Sequence, residues 1–152
     1  MPQKNMFESQ CAFCSILQGK DEHSIVYEDE RCVAFLDHRP LFPGHCLVVP
    51  RDHVETLEDL PKSLLEPIFA VVQLLARAMK PALGTEGTFV GINNRVSQSV
   101  PHFHVHVAPR RKGDGLRGFF WPRQKYASPE EMEKVQKALR SAITRIQNQE
   151  PD

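Results

Sequence analysis

The sequence predicts an α+β fold, an antiparallel sheet of about five strands with helices packed on one face. Three observations predict it. Short β-branched or aromatic runs follow one another across turns too short for a crossover helix, which favours antiparallel pairing. A long stretch, residues 62–80, carries apolar side chains at helical spacing. The segment His102–Val107 alternates strictly between histidine and apolar residues, the period of a strand.

The elements follow in chain order. Residues 1–10 read as a loose tail. Ala12 to Gln18 fits one short helix, stopped by Gly19. Ile25–Glu28 and Arg31–Asp37 read as paired strands around Asp29-Glu30. Pro40 to Gly44 is a turn, and His45–Val49 is a buried strand closed by Pro50. In 62–80, Leu64, Leu65, Ile68, Phe69, Val72, Leu75, Ala76 and Met79 make the apolar stripe. Pro67 is expected in the first turn of that helix, with Pro81 and Gly84 ending it. Thr88–Asn93 is a further strand. Ser128-Pro129-Glu130-Glu131 reads as a capping box opening a polar helix to about Gln147. Residues 11–110 hold the chemistry. Residues 111–152 read as a basic and aromatic loop plus a C-terminal helix of the same domain.

The 152 residues are enough to bury roughly two-thirds of the unfolded surface without disulfide staples. Nineteen Lys and Arg balance nineteen Asp and Glu, so no global basic field recruits nucleic acid. Mean hydropathy is −0.38, and no apolar run reaches the ~20 residues of a membrane span. The first ten residues lack an apolar signal core, so a cytoplasmic location is expected. In that compartment Cys32 and Cys46 read as small buried residues. Arg110, Arg111, Lys112 and Arg117 cluster with only Asp114 among them, a local basic loop suited to phosphate. The apolar run 118–123 fits either a lid over a site or an interface.

On a strand, His102, His104 and His106 share one face about 6.6 Å apart, while Phe103, Val105 and Val107 share the other. Three imidazoles in register opposite an apolar face point to chemistry. They suit a metal, or a nitrogen nucleophile with neighbours that orient it. Gln98, Ser99, Arg110 and Arg111 flank the strand with donors, which favours reaction at phosphorus.

The run His102-Phe103-His104-Val105-His106-Val107-Ala108 resembles the signature of the histidine-triad (HIT) superfamily. Gln98-Ser99-Val100, Pro43 to His53, Cys11-Ala12-Phe13-Cys14 and Ala34 to Asp37 are similar to that family as well. Ser97 departs from it, standing where the family has glycine. The resemblance covers about residues 11–110. It implies a small homodimeric fold that hydrolyses or transfers nucleotidyl groups of a purine nucleotide, with no organic cofactor. By position, His104 is then the nucleophile, forming a nucleotidyl-histidine that water resolves. That role needs a neutral ring with one nitrogen facing phosphorus and the other holding the proton against an acceptor such as the His102 carbonyl. His106 contacts phosphate and His45 supports the triad. Gln98 and Ser99 donate to phosphate oxygens or the leaving group. Asp37 takes the ribose hydroxyls and Asn93 lies near phosphate. Phe13, Ile16 and Leu36 line the base pocket. Free histidine titrates near ~6.5, so activity is expected to fall below that pH unless the site shifts it.

The Cys11–Cys14 pair is a moderate metal signal by itself. A subset of the family combines it with histidines that here are His53 and His102. The resemblance therefore implies a structural zinc site of Cys11, Cys14, His53 and His102, closed and tetrahedral. Two rival functions stay open: a metal-dependent enzyme using the three histidines as ligands, and a nucleotide- or partner-binding module with vestigial turnover.

Overall fold

A computed structural model describes residues 10–116 and 124–149. The expected tail and the run 118–123 lie outside or almost outside these residues. The chain divides into two compact units, the first ending at Asp114 and the second starting at Gly115.

The first unit is a five-stranded, fully antiparallel sheet in the order β1-β2-β3-β5-β4. Its strands are β1 (Ile25–Glu28), β2 (Cys32–Leu36), β3 (Cys46–Pro50), β4 (Gly87–Gly91) and β5 (Val105–Arg110). The α+β architecture is the one the sequence predicts. Asp29 makes the β1–β2 turn, its Oδ1 accepting from the Arg31 and Cys32 amides at 2.7 and 2.8 Å.

Alternation along each strand decides what each face meets. Cys32, Ala34, Cys46, Val48, Val105 and Val107 turn to one face, where α2 (Lys62–Leu83) packs Leu64, Ile68, Val71, Val72, Leu75 and Met79. Val33, Phe35, Leu47 and Val49 turn to the other and pack on Cys11, Phe13, Cys14 and Ile16 of the N-terminal segment. That segment is α1 (Ala12–Ser15), followed by a wider turn, Ile16–Lys20. Gly19 breaks it at φ 86°. His104 and His106 belong to this second face by parity. Burial pushes the Cys32 and Cys46 thiols up to about 11, as expected of small buried residues.

Two proline expectations are corrected. Pro67 lies in the second turn of α2, and the helix runs through Pro81 to Leu83. A proline at 67 leaves the Ser63 carbonyl without its helical donor, and Arg31 Nη1 donates to it at 3.1 Å. Gly84 then ends the helix in the left-handed region at φ 64°.

The histidine strand also starts later than its alternation suggests, at Val105 rather than His102. The His102 amide donates to the Val100 carbonyl and the Phe103 amide to that of Val54, at 2.8 and 2.7 Å. Residues 102–104 thus leave the sheet ladder for a local turn and the 51–56 loop. β5 continues to Arg110, past Pro109. Only β4 flanks it there, so the missing amide hydrogen is tolerated.

The second unit contains α3 (Pro129–Gln149), where the Glu131 amide donates to Ser128 Oγ at 3.1 Å. Among the described residues, no helix is long and apolar enough to cross a membrane.

Candidate active site and metal centre

The geometry begins at the Pro43-Gly44 turn. Gly44 sits at φ 101°, where a β-carbon would also strike Leu83. The turn carries the His45 amide to the Phe42 carbonyl at 3.0 Å and folds the Leu41 amide onto His45 Nδ1 at 3.0 Å. A backbone N–H can only donate, so His45 Nδ1 accepts and neutral His45 holds its proton on Nε2. Nε2 lies 3.0 Å from His106 Nδ1 and donates to it. His106 therefore carries its own proton on Nε2. One backbone amide thus sets the tautomer of two imidazoles.

His104 is set independently. Its Nδ1 lies 2.7 Å from the His102 carbonyl, which only accepts, so Nδ1 carries the proton and Nε2 keeps a lone pair. The Phe13 and His104 rings form a T-shaped pair with centroids 5.1 Å apart at 89°, and the His106 ring stands 4.9 Å away. His104 and His45 are each only 3 % exposed. Burial lowers the pKa of His45, His104 and His106, the last to about 4. The charge of Asp37 opposes this at all three. All three rings are neutral near pH 7, which moves the expected loss of activity below 6.5.

His102 turns the other way. Its Nε2 donates to the Pro50 carbonyl at 2.9 Å, leaving the Nδ1 lone pair 3.6 Å from Cys11 Sγ and 3.5 Å from Cys14 Sγ. His53 Nδ1 is 3.3 Å from Cys14 Sγ. The ligand atoms of Cys11, Cys14, His53 and His102 all lie within 4.8 Å of one another. With bonds of about 2.3 Å to sulfur and 2.0–2.1 Å to nitrogen, a tetrahedral ion separates S and N ligands by about 3.5 Å. The observed spacings match, so the four residues form a candidate metal site.

The remaining predicted residues are placed as follows. Asp37 Oδ1 accepts from the Arg39 amide at 2.9 Å, and Oδ2 lies 3.8 Å from His45 Nε2. Gln98 braces its loop, with Oε1 accepting from the Arg95 amide at 2.8 Å and Nε2 donating to the Glu55 carbonyl at 2.6 Å. Ser99 lines an open cleft of about 310 Å3 with Cys11, His53, Glu55 and Val100, beside the metal cluster. Asn93 is exposed, while Asn94 Oδ1 accepts from the Leu57 amide at 2.9 Å. Phe13 and Ile16 are buried in the packing of the second sheet face, and Leu36 is exposed.

The expectation that Arg110 and Arg111 wait for phosphate is corrected. Arg110 forks onto both carboxylate oxygens of Asp114. Arg111 donates to the Leu83 and Gly84 carbonyls at 2.6 and 2.9 Å, capping α2. The His102 carbonyl is the acceptor that the sequence leads one to expect for His104. The anchors that sequence reasoning misses are the Leu41 N–H and the Pro50 carbonyl. No side-chain pattern announces them.

Comparison with known proteins agrees with this geometry. The family model described as the HIT domain matches residues 18–113. An uncharacterized HIT-like protein of Saccharolobus solfataricus is 37% identical, covering 90% of this chain and 99% of its own. An adenylylsulfatase of Arabidopsis thaliana is 33% identical over 75% of this chain and 59% of its own. The crystal structure of a Zn-bound histidine triad family protein from Mycobacterium smegmatis is 34% identical, covering 90% of this chain and 98% of that one at a TM-score of 0.67. The chain belongs to the HIT family, some of whose members hydrolyse nucleotides.

Proposed function

We propose that the protein is a nucleotidyl hydrolase or transferase that cleaves at the α-phosphate of a purine nucleotide conjugate, a phosphoramidate or a dinucleoside polyphosphate. The observation that carries the reading is the 2.7 Å bond from His104 Nδ1 to the His102 carbonyl. It leaves Nε2 as a neutral, unprotonated nitrogen, the form a nucleophile needs. Nε2 attacks phosphorus, the bond to the leaving group breaks, and the leaving group takes a proton. Water then attacks the phosphorus, the bond to Nε2 breaks and water gives up a proton, which releases the nucleotide and restores neutral His104. His106, holding its proton on Nε2, donates to a phosphoryl oxygen as charge builds there. His45 holds His106 in that tautomer. Asp37, Asn93, Ser99 and the second amide hydrogen of Gln98 serve ribose, phosphate and leaving group.

Zinc fits the candidate metal site, since two thiolates and two imidazoles in a closed tetrahedral set suit a structural ion. Cys11, Cys14, His53 and His102 would hold it, and it would pin the N-terminal segment to the triad. A homodimer is part of the same reading, with exposed Leu65 and Phe69 on α2 and Val90 on the edge strand β4 available for it.

The reading with three histidines on one metal is disfavoured by their orientations. His102 offers Nδ1 to the cysteines, His104 Nδ1 carries a proton, and His106 Nδ1 accepts from His45.

The test is AMP release from an adenosine phosphoramidate and from a diadenosine polyphosphate, with His104→Ala in parallel. Release that requires His104 is the expected result. A variant as active as the parent overturns the assignment and favours a binding module.

A further inference from the structure

α3 carries a pattern that the proposed chemistry does not use. Met132, Val135, Leu139, Ile143 and Ile146 are exposed, and no residue of the helix is buried. Met132, Val135, Leu139, Ala142 and Ile146 fall at alternating spacings of three and four, the a and d positions of a heptad. In proteins a helix takes most of its stability from packing an amphipathic face rather than from propensity.

We propose that α3 pairs antiparallel with α3 of a second copy of this chain. The charges select both the partner and the direction. In the heptad frame Glu131, Ala138 and Arg145 occupy successive g positions along one flank. In antiparallel pairs, g faces g. A two-fold axis beside Lys137 then sets Glu131 against Arg145 of the partner subunit, and by symmetry the same pair recurs. The small Ala138 meets its own mate at the centre of that flank, and Gln136 meets its mate on the other. The same register stacks Met132 on Ala142 and Val135 on Leu139 across the seam. The four seam residues from Met132 to Ala142 and the charge pair are thus satisfied by one alignment, with Ile146 beyond the overlap. A parallel pair would set Glu131 against the neutral Gln136 and Arg145 against position 150, past the end of the helix. Glu131 also accepts from the Ala127 amide, so its carboxylate is already held at the helix start.

The test uses the full chain. Met132→Cys and Ala142→Cys proteins are mixed, oxidised mildly, and the linked peptides identified by mass spectrometry. The expected product joins position 132 of one chain to position 142 of the other. A 132-to-132 link, as from parallel helices, overturns the proposal, as does the absence of any link between α3 segments of different chains. The charge pair is tested in the same background. Arg145→Glu is expected to lower the yield of the 132–142 link at least about fivefold, and Glu131→Lys added to it to restore the yield. Unchanged yield in Arg145→Glu, or no recovery in the swapped chain, overturns the charge register. Sheet-edge association elsewhere in the chain does not generate these links, so the result stands apart from the dimer proposed above.

Discussion

The backbone carbonyl of His102 holds His104 Nδ1 at 2.7 Å, while the imidazole of the same His102 faces the sulfurs of Cys11 and Cys14 at 3.6 and 3.5 Å. One residue therefore belongs to both centres, through its main chain to the triad and through its side chain to the candidate metal site. Anything that moves its ring moves the peptide that orients His104.

Metal removal is accordingly expected to lower turnover without touching a group that contacts substrate. Cys14→Ser takes away the thiol nearest both His53 and His102. Elemental analysis is expected to find zinc in the parent and none in the variant, which should also lose at least about 5 °C of Tm if the cluster is worth about 2 kcal/mol. Its kcat should fall more than its KM changes, because positioning rather than binding is lost. Full activity in a zinc-free variant would separate the two centres.

The pH profile follows from the His45–His106 pair. Asp37, His45 and His104 are the titratable groups that act on His106, and its pKa is about 4. Activity is expected to persist below 6.5, since burial lowers His104 as well, and to be lost by about pH 4, where protonation of His106 Nδ1 breaks the bond from His45. The same shift has a stability sign. The unfolded histidine takes a proton near ~6.5 and the folded one only near 4, so stability is full above 6.5 and declines as the pH falls through that window. His106→Ala should cost about 10²–10³ in kcat, the usual loss on removing one donor to a developing oxyanion. Urea titrations and kcat measured between pH 4 and 8 test both statements.

Parity along the strands was legible in the sequence. The alternation of His102 to Val107 put the imidazoles opposite α2, and the Cys11–Cys14 spacing, through family resemblance, supplied the metal set. The fate of Arg110 and Arg111 was not legible. Arg111 reaches carbonyls 27 and 28 residues away, which depends on where α2 ends. Arg110 pairs with Asp114, the acid four residues on that the composition of this loop made look outnumbered. The tautomers of His45 and His106 were hidden too, because Leu41 contributes only a backbone N–H. Main-chain donors carry no side-chain signature.

Arg111→Met tests the capping role directly. Removing a cation from the last carbonyls of α2 should cost about 0.3–1 kcal/mol. KM for the nucleotide should stay unchanged. A raised KM with unaltered stability would return Arg111 to the phosphate.

Ser97 gives the sharpest backbone prediction. It stands before Gln98 where the family resemblance expects glycine, and its φ is 60°, with Arg95 at 64° in the same loop. An L-residue in the left-handed region costs roughly 1–2 kcal/mol, because Cβ crowds the following carbonyl. Glycine removes that strain but adds about 0.5–1 kcal/mol of unfolded-state entropy, so Ser97→Gly should be neutral or stabilising by up to about 1.5 kcal/mol. A β-branched side chain is worse than serine at positive φ, so Ser97→Val should destabilise by at least about 1 kcal/mol. It should also displace Gln98, whose Oε1 is held by the Arg95 amide across this turn. Urea midpoints of the two variants decide the matter. Equal midpoints for glycine and valine would mean that the loop relaxes out of the left-handed region, and that Gln98 is braced by its bond to Glu55 alone.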